Sequence, residues 1–174
     1  MSFHKKLSDK IVTKDKLNTL LQEWNKQSQQ IVFTNGCFDI LHRGHVEYLC
    51  HARDLGDKLI LGLNTDASVK RLGKSPERPI NSEDTRATIL AALECVDAII
   101  LFDEDTPYEL INFVQPDVLV KGNDYKAEDI VGYDIVTSKG GKVITIQLVD
   151  GFSTTKLIEK IHFGGKDKPI YFFH

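Results

Sequence analysis

Cysteine, tryptophan and methionine are scarce in this 174-residue chain: three, one and one. Cys37, Cys50 and Cys95 stand far apart with no C-x-x-C pair, the pattern of free thiols in a reducing cytoplasm rather than a disulfide framework. A leader is also missing, since Met1–Lys10 carries charge but no apolar stretch, and no run reaches membrane-spanning length. A surplus of positive charge is absent too. The net charge of −3 leaves nothing to offset a nucleic-acid backbone, so no nucleic acid and no membrane are expected as partners. No G-x-G-x-x-G follows the first apolar run, which removes a nicotinamide-dependent oxidoreductase. Repeats, low-complexity segments and interdomain linkers are lacking as well. With 41% hydrophobic and 27% charged residues, the chain reads as one domain over 1–174.

What is present concentrates between Ile31 and His45. Ile31–Val32–Phe33–Thr34 reads as a buried strand, and Asn35–Gly36 as the turn that ends it. His42 and His45 then flank Gly44 where a helical pattern begins. A strand, a glycine turn and a helix N-terminus make an anion site, because free amides and the positive dipole end converge there. Two imidazoles at that spot can donate to phosphate oxygens as charge builds. The same pair could instead cap a helix or ligate a metal, although helical ligand pairs usually sit at i, i+4 and no cysteine lies at zinc spacing. The joint order of strand, turn and paired histidines favours a nucleotide phosphate site.

Elsewhere the pattern alternates. An amphipathic helix over 14–27 is followed by the 31–34 strand, a helix continuing through Ala52 to a stop at Gly56, and a strand over 58–63. Asn64 and Asp66 fall at its C-terminal end, where open α/β sheets hold ligands. Lys70, Arg71, Lys74 and Arg78 then form a basic cluster that is either a solvated face or a loop over a triphosphate. Asn81 is the expected cap of the next helix, with Asp84 in the capping-box position. Arg86, a cation in that helix's first turns, opposes the dipole and so points to another partner such as a substrate phosphate. Strands over 96–101, 117–121 and 142–148, with a helix from Pro107 to Val114, complete an α/β reading. It is a Rossmann-like, doubly wound, five-stranded parallel sheet with helices on both faces. Near the end, Ser153, Thr154 and Thr155 precede Lys156, more hydroxyls than a helix cap needs. The tail 162–174 finishes in Ile170–Tyr171–Phe172–Phe173, apolar enough to dock on its own body or on another subunit, and a homo-oligomer, a dimer in the first instance, is expected.

Thr34-x-Gly36-x-Phe38-Asp39-x-x-His42-x-Gly44-His45 resembles the signature of the cytidylyltransferase-like nucleotidyltransferase superfamily, and Gly151 to Ile158 resembles its serine-threonine element. Gly62–Asp66, Arg78–Asn81, Phe102–Pro107 and Lys121–Tyr125 are most similar to the branch of D-glycero-β-D-manno-heptose 1-phosphate adenylyltransferases, in many bacteria fused behind a sugar kinase. The resemblance spans about 31–161. It implies ATP and a sugar 1-phosphate as substrates, ADP-heptose as product, and Mg²⁺ carried on the triphosphate with no protein metal site. Against that fused arrangement, the expectation for this chain is a stand-alone domain served by a separate kinase. The resemblance further implies that His42, His45 and Lys156 are catalytic. Thr34, Asn35, Gly36, Cys37, Phe38, Gly44, Lys74, Lys121, Gly122, Ser153, Thr154 and Thr155 would bind the nucleotide. Asp39, Asn64, Asp66, Arg78, Arg86, Asn123 and Asp124 would serve the substrate, with Asp39 equally suited to capping a turn. Rival readings are a cytidylyltransferase acting on glycerol 3-phosphate and a non-catalytic nucleotide-binding module.

Overall fold

A computed structural model describes residues 2–73, 77–123, 126–149 and 151–163. Two helices, α1 (Phe3–Ser8) and α2 (Lys14–Lys26), precede β1 (Ile31–Gly36). Then follow α3 (Arg43–Arg53), β2 (Lys58–Asn64), α4 (Asp66–Arg71), α5 (Glu83–Ala91) and β3 (Ala98–Phe102). The second half holds α6 (Tyr108–Val114), β4 (Val118–Gly122), a 3₁₀ turn (Ala127–Asp129), α7 (Tyr133–Ser138), β5 (Lys142–Ile146) and α8 (Thr154–Phe163). The five strands are parallel in the order β3-β2-β1-β4-β5. This is the Rossmann-like α/β architecture expected of strands that alternate with helices.

Alternation along each strand builds two apolar layers. Ile31 and Phe33 of β1, Ile60 of β2, Ile100 and Phe102 of β3 and Leu119 of β4 pack with Leu17, Leu21 and Trp24 of α2 and with α6 and α7. Val32, Leu59, Leu61, Leu63, Ile99, Val118 and Val120 pack on the other side with Tyr48, Leu49 and Ala52 of α3 and Ala87, Leu90 and Ala91 of α5. Continuous apolar runs are what strands covered on both faces require. The outer edge of β3 is partly closed by an Ile11–Ile99 bridge, where Val12 N–H donates to the Ile99 carbonyl at 2.9 Å.

Chain reversal in the sheet decides where a ligand can enter. β1 pairs with β2 along its whole length, Ile31 to Gly36 against Lys58 to Leu63. It pairs with β4 only at Val32–Val118 and Phe33–Leu119. Beyond Phe33 the two strands part, and a crevice opens between their C-terminal ends at the switch point of the order.

Several local expectations need correction. Asn35–Gly36 is not the turn: parallel pairing with Gly62 and Leu63 keeps both residues extended, and the chain reverses at Phe38, whose φ is 45°. Gly36 is still needed as glycine, since a Cβ there would lie 2.9 Å from the Phe38 ring. Gly56 does not stop α3, which ends at Arg53 with a right-handed cap at Asp54. A Cβ on Gly56 would meet Val32 Cγ2 at 2.7 Å and the Gln30 carbonyl at 2.9 Å, so close packing sets that position. Ser82, not Asn81, caps α5 by accepting from Thr85 N–H. Asn81 is engaged elsewhere, donating from Nδ2 to the Asp39 carbonyl at 2.8 Å. The basic cluster is split as well. Lys70 and Arg71 close α4, and Arg71 pairs with Asp105 at 2.8 Å and with Asp103. Finally, β5 stops at Ile146, and Leu148 is left half exposed.

Candidate active site

The mouth of α3 is built from the half-buried His42 and His45 around buried Gly44. His42 is its cap, accepting at Nδ1 from His45 N–H at 3.3 Å. The two imidazoles stack with centroids 3.7 Å apart and planes 17° apart, and the Phe38 edge meets His45 at 5.1 Å. His45 Nδ1 is buried with no hydrogen-bond partner among the described residues. Burial, and then the neighbouring His42, push the His45 pKa down to about 4, with the Ile40 backbone partly opposing. Burial also lowers that of His42. Two cations stacked this closely would repel, so the pair rests neutral, ready to present N–H donors to an anion.

Facing it is the mouth of α8. Ser153 Oγ accepts from Lys156 N–H at 3.1 Å, Thr154 is buried, and Thr155 and Lys156 are exposed. Phe152 bridges the mouths: its ring centroid lies 6.4 Å from that of His42, and the Arg43 guanidinium is 5.8 Å from it. Gly44 permits that approach, since a Cβ there would stand 3.2 Å from Phe152 Cβ. A cleft of about 360 Å³ lies between, lined by His42, Gly44, His45, Thr154, Thr155 and Phe152 among others. A larger cleft of about 420 Å³ runs from His45, Thr154 and Arg78 across Asn35 to Cys37 and on to Lys121, Thr106 and Pro107. His45, Arg78 and Thr154 line both.

Other expected site residues have partners inside the fold, and two of them, Asp39 and Asn64, also line the larger cleft. Thr34 is fully buried with its hydroxyl on Tyr48 OH at 2.8 Å, so its side chain braces α3 rather than reaching a phosphate. Asp39 accepts at Oδ1 from Ile80 and Asn81 N–H at 2.8 and 3.0 Å, and faces Arg78 Nε at 3.8 Å. Arg86 is buried, not aimed at a phosphate. It donates to the carbonyls of Asn81 (3.0 Å), Cys37 and Asn64 (both 2.8 Å) and to Asp66 at 2.7 Å. One guanidinium thus ties the loop after β1 to the end of β2, the start of α4 and the entrance of α5. Asn64 itself donates to Ser68 Oγ at 2.9 Å. Gly122 pairs with Ile146, and Asn123 N–H donates to the Ile146 carbonyl, so both extend the β4–β5 ladder. Lys121 reaches the cleft, its Nζ 3.4 Å from the Asn35 carbonyl. Lys74, Asp124 and residues 164–174 of the tail lie outside the described residues. Leu72, Asp105, Thr106, Pro107, Val131 and Phe152 line the clefts although no single-residue signal marked them. Asp105, Thr106 and Pro107 fall within the Phe102–Pro107 stretch and Phe152 within Gly151 to Ile158, so only the stretches were marked, while Leu72 and Val131 carried no signal.

A cytidylyltransferase-like family model matches residues 33–160, from the middle of β1 to α8. The chain belongs to the cytidylyltransferase-like family. It is 57% identical to the bifunctional protein HldE of Syntrophotalea carbinolica over 152 residues, which cover 87% of this chain and 31% of that protein. The chain therefore spans about a third of the length of that curated relative. Among solved structures it resembles the lipopolysaccharide core biosynthesis protein of Thermoplasma volcanium, with TM-score 0.61 and 31% identity, covering 70% of this chain and 99% of that one. It also superposes on the pantoate-β-alanine ligase of Francisella tularensis with TM-score 0.57, covering 94% of this chain and 81% of that one; at 16% identity this likeness concerns the fold alone. Among the described residues of this cytidylyltransferase-like chain, no group of three His, Cys, Asp or Glu side chains is placed to hold a metal ion. No described helix is long and apolar enough to cross a membrane.

Proposed function

We propose that this chain is a nucleotidyltransferase that moves AMP from ATP to D-glycero-β-D-manno-heptose 1-phosphate, giving ADP-heptose and pyrophosphate for lipopolysaccharide or another cell-surface polysaccharide. The observation that carries the reading is the neutral, stacked His42–His45 pair at the α3 mouth, set against the hydroxyl-lined α8 mouth across a shared cleft. The identity to the bifunctional relative supports the choice of sugar and nucleotide.

In this reaction an oxygen of the sugar phosphate attacks the α-phosphorus of ATP in line, and the bond to the bridging oxygen of pyrophosphate breaks. The attacking group is already ionised, so the site needs neither a nucleophilic side chain nor a general base. Positioning and charge stabilisation suffice. His42 and His45 donate to the α-phosphate region and strengthen as negative charge spreads. The amides of the α3 and α8 N-termini, with Thr154, Thr155 and Lys156, hold the phosphates. Arg78, which lines both clefts, serves the leaving pyrophosphate.

Mg²⁺ supplies charge neutralisation on the triphosphate. The carboxylates nearest the clefts are committed, Asp39 to backbone N–H groups and Arg78, Asp66 to Arg86 and Asp105 to Arg71. That donor set fits an ion held chiefly by phosphates and water. Cys37, Cys50 and Cys95 form no disulfide, which agrees with an enzyme of the cytoplasm.

Pyrophosphate release measured with ATP, CTP, GTP and UTP against sugar 1-phosphates and glycerol 3-phosphate tests the proposal. Turnover with ATP and the heptose 1-phosphate is the expected result. Preference for CTP with glycerol 3-phosphate would keep the mechanism and overturn the substrates.

A further inference from the structure

The larger cleft has a floor that phosphate chemistry does not account for. Along β1, side chains alternate, so Asn35 falls on the same face as Ile31 and Phe33, the face covered by α2, α6 and α7. On β4 the same rule puts Lys121 beside it, in line with Leu119. On β2, between β1 and β3, Gly62 lets neighbours pack close beside Asn35: a Cβ there would stand 2.9 Å from the Phe33 ring, 3.1 Å from Leu110 Cδ2 and 3.2 Å from Asn35 Cβ. The histidine pair stands at the start of α3, which packs on the opposite face. Asn35 and Lys121 therefore lie on the α2–α6–α7 side of the larger cleft, whose lining also includes Thr106, Pro107 and Val131 and, toward α3 and α8, His45 and Thr154.

One atom of that floor is unsettled. Asn35 Oδ1 is buried and has no hydrogen-bond partner among the described residues, although the residue lines the cleft. A buried acceptor left unpaired is costly, so such an atom marks where a ligand donor belongs. An amide oxygen repels anionic phosphate but suits a hydroxyl. A hydroxyl also donates and accepts, so it satisfies the amide whichever way its oxygen and nitrogen are assigned. Pro107 and Val131 add apolar wall for the C–H faces of a sugar. We propose that Asn35 is a specificity-determining residue that reads a hydroxyl of the acceptor sugar. This assigns Asn35 to the acceptor rather than to the nucleotide, and it rests on the sugar phosphate reading above.

The test measures dissociation constants for ATP and for the acceptor phosphate by titration calorimetry on the wild type, Asn35→Leu and Asn35→Ser, each first checked for an intact thermal transition. Acceptors are the sugar 1-phosphate and its analogues lacking one hydroxyl at a time. Asn35→Leu should weaken the acceptor about tenfold or more while ATP changes less than about twofold. One deoxy analogue should lose the same factor on the wild type and nothing further on Asn35→Leu, and Asn35→Ser should fall between. Equal loss of ATP affinity, unchanged acceptor affinity, or no analogue that couples to Asn35 would each overturn the assignment. If the wild type binds and turns over another acceptor instead of heptose 1-phosphate, the substrate reading fails, and the same coupling measured with that acceptor decides Asn35. A wild type that binds no acceptor phosphate overturns both.

Discussion

The two helix mouths that flank the cleft are made differently. At the start of α3 the side chains are held in place: His42 caps the helix, His45 is stacked on it and half-buried, and Asp39 Oδ1 is fixed by two backbone N–H groups. Behind them Arg86 clamps the Cys37 carbonyl from within the core. At the start of α8 the hydroxyls are held by one cap bond from Ser153, while Thr155, Lys156 and Phe152 are exposed to solvent. Rigid geometry is built where charge must be met at a fixed point, because a preorganised donor costs no reorganisation during reaction. On the proposed reading, the exposed mouth adjusts to the nucleotide as it arrives and leaves. Substitutions that exchange or erase this contrast separate the two roles.

The largest effect should come from Arg86→Met. It leaves three buried carbonyls and the Asp66 carboxylate without their donor, so unfolding free energy should drop by roughly 3–5 kcal/mol, read by urea titration. Nucleotide affinity should fall with it, since the loop after β1 loses its anchor. His45→Ala is next: the fold should survive, but turnover should drop on the order of 10²–10³, roughly 3–4 kcal/mol, with ATP affinity changed little. Acid sensitivity should be smaller. The His45 pKa is held near 4, below its ordinary 6.5, so the unfolded chain takes up a proton that the folded chain refuses. Stability is then full above about pH 6.5 and falls as the pH drops toward 4, by on the order of 2 kcal/mol at pH 4.5. Melting curves of wild type and His45→Gln over that range should diverge by this amount. The smallest effect belongs to the exposed mouth. Ser153→Ala should cost about 1 kcal/mol of stability, and its KM for ATP should rise more than its kcat falls.

Much of this was legible in the residues. The continuous apolar runs announced parallel strands covered on both faces, and the alternation of Ile31, Phe33 with Val32, Thr34 became the two core layers. The helix mouths were readable too, because His42, Gly44, His45 and Ser153 to Lys156 are short-range patterns. Short elements escaped: α1, α4 and α7 each span six residues, too few for a helical period to show. Asn35–Gly36 misled because turn preference is local, whereas pairing with Gly62 and Leu63 comes from a strand far along the chain. Arg86 misled for a similar reason. Its place in the first turns of α5 suggested a phosphate, yet its partners are carbonyls brought together only by the fold. The partnering of Arg71 with Asp103 and Asp105 likewise depends on α4 and the end of β3 meeting in space.

The most direct measurement is single-turnover formation of the nucleotide sugar, followed by ³¹P NMR with ATP, Mg²⁺ and heptose 1-phosphate, for the wild type beside His45→Ala. The stacked histidine pair predicts that the new phosphate–phosphate linkage forms on the wild type and slows by on the order of 10²–10³ in the variant at saturating substrates. An unchanged single-turnover rate in His45→Ala would contradict the assignment of the α3 mouth as the place where transition-state charge is met.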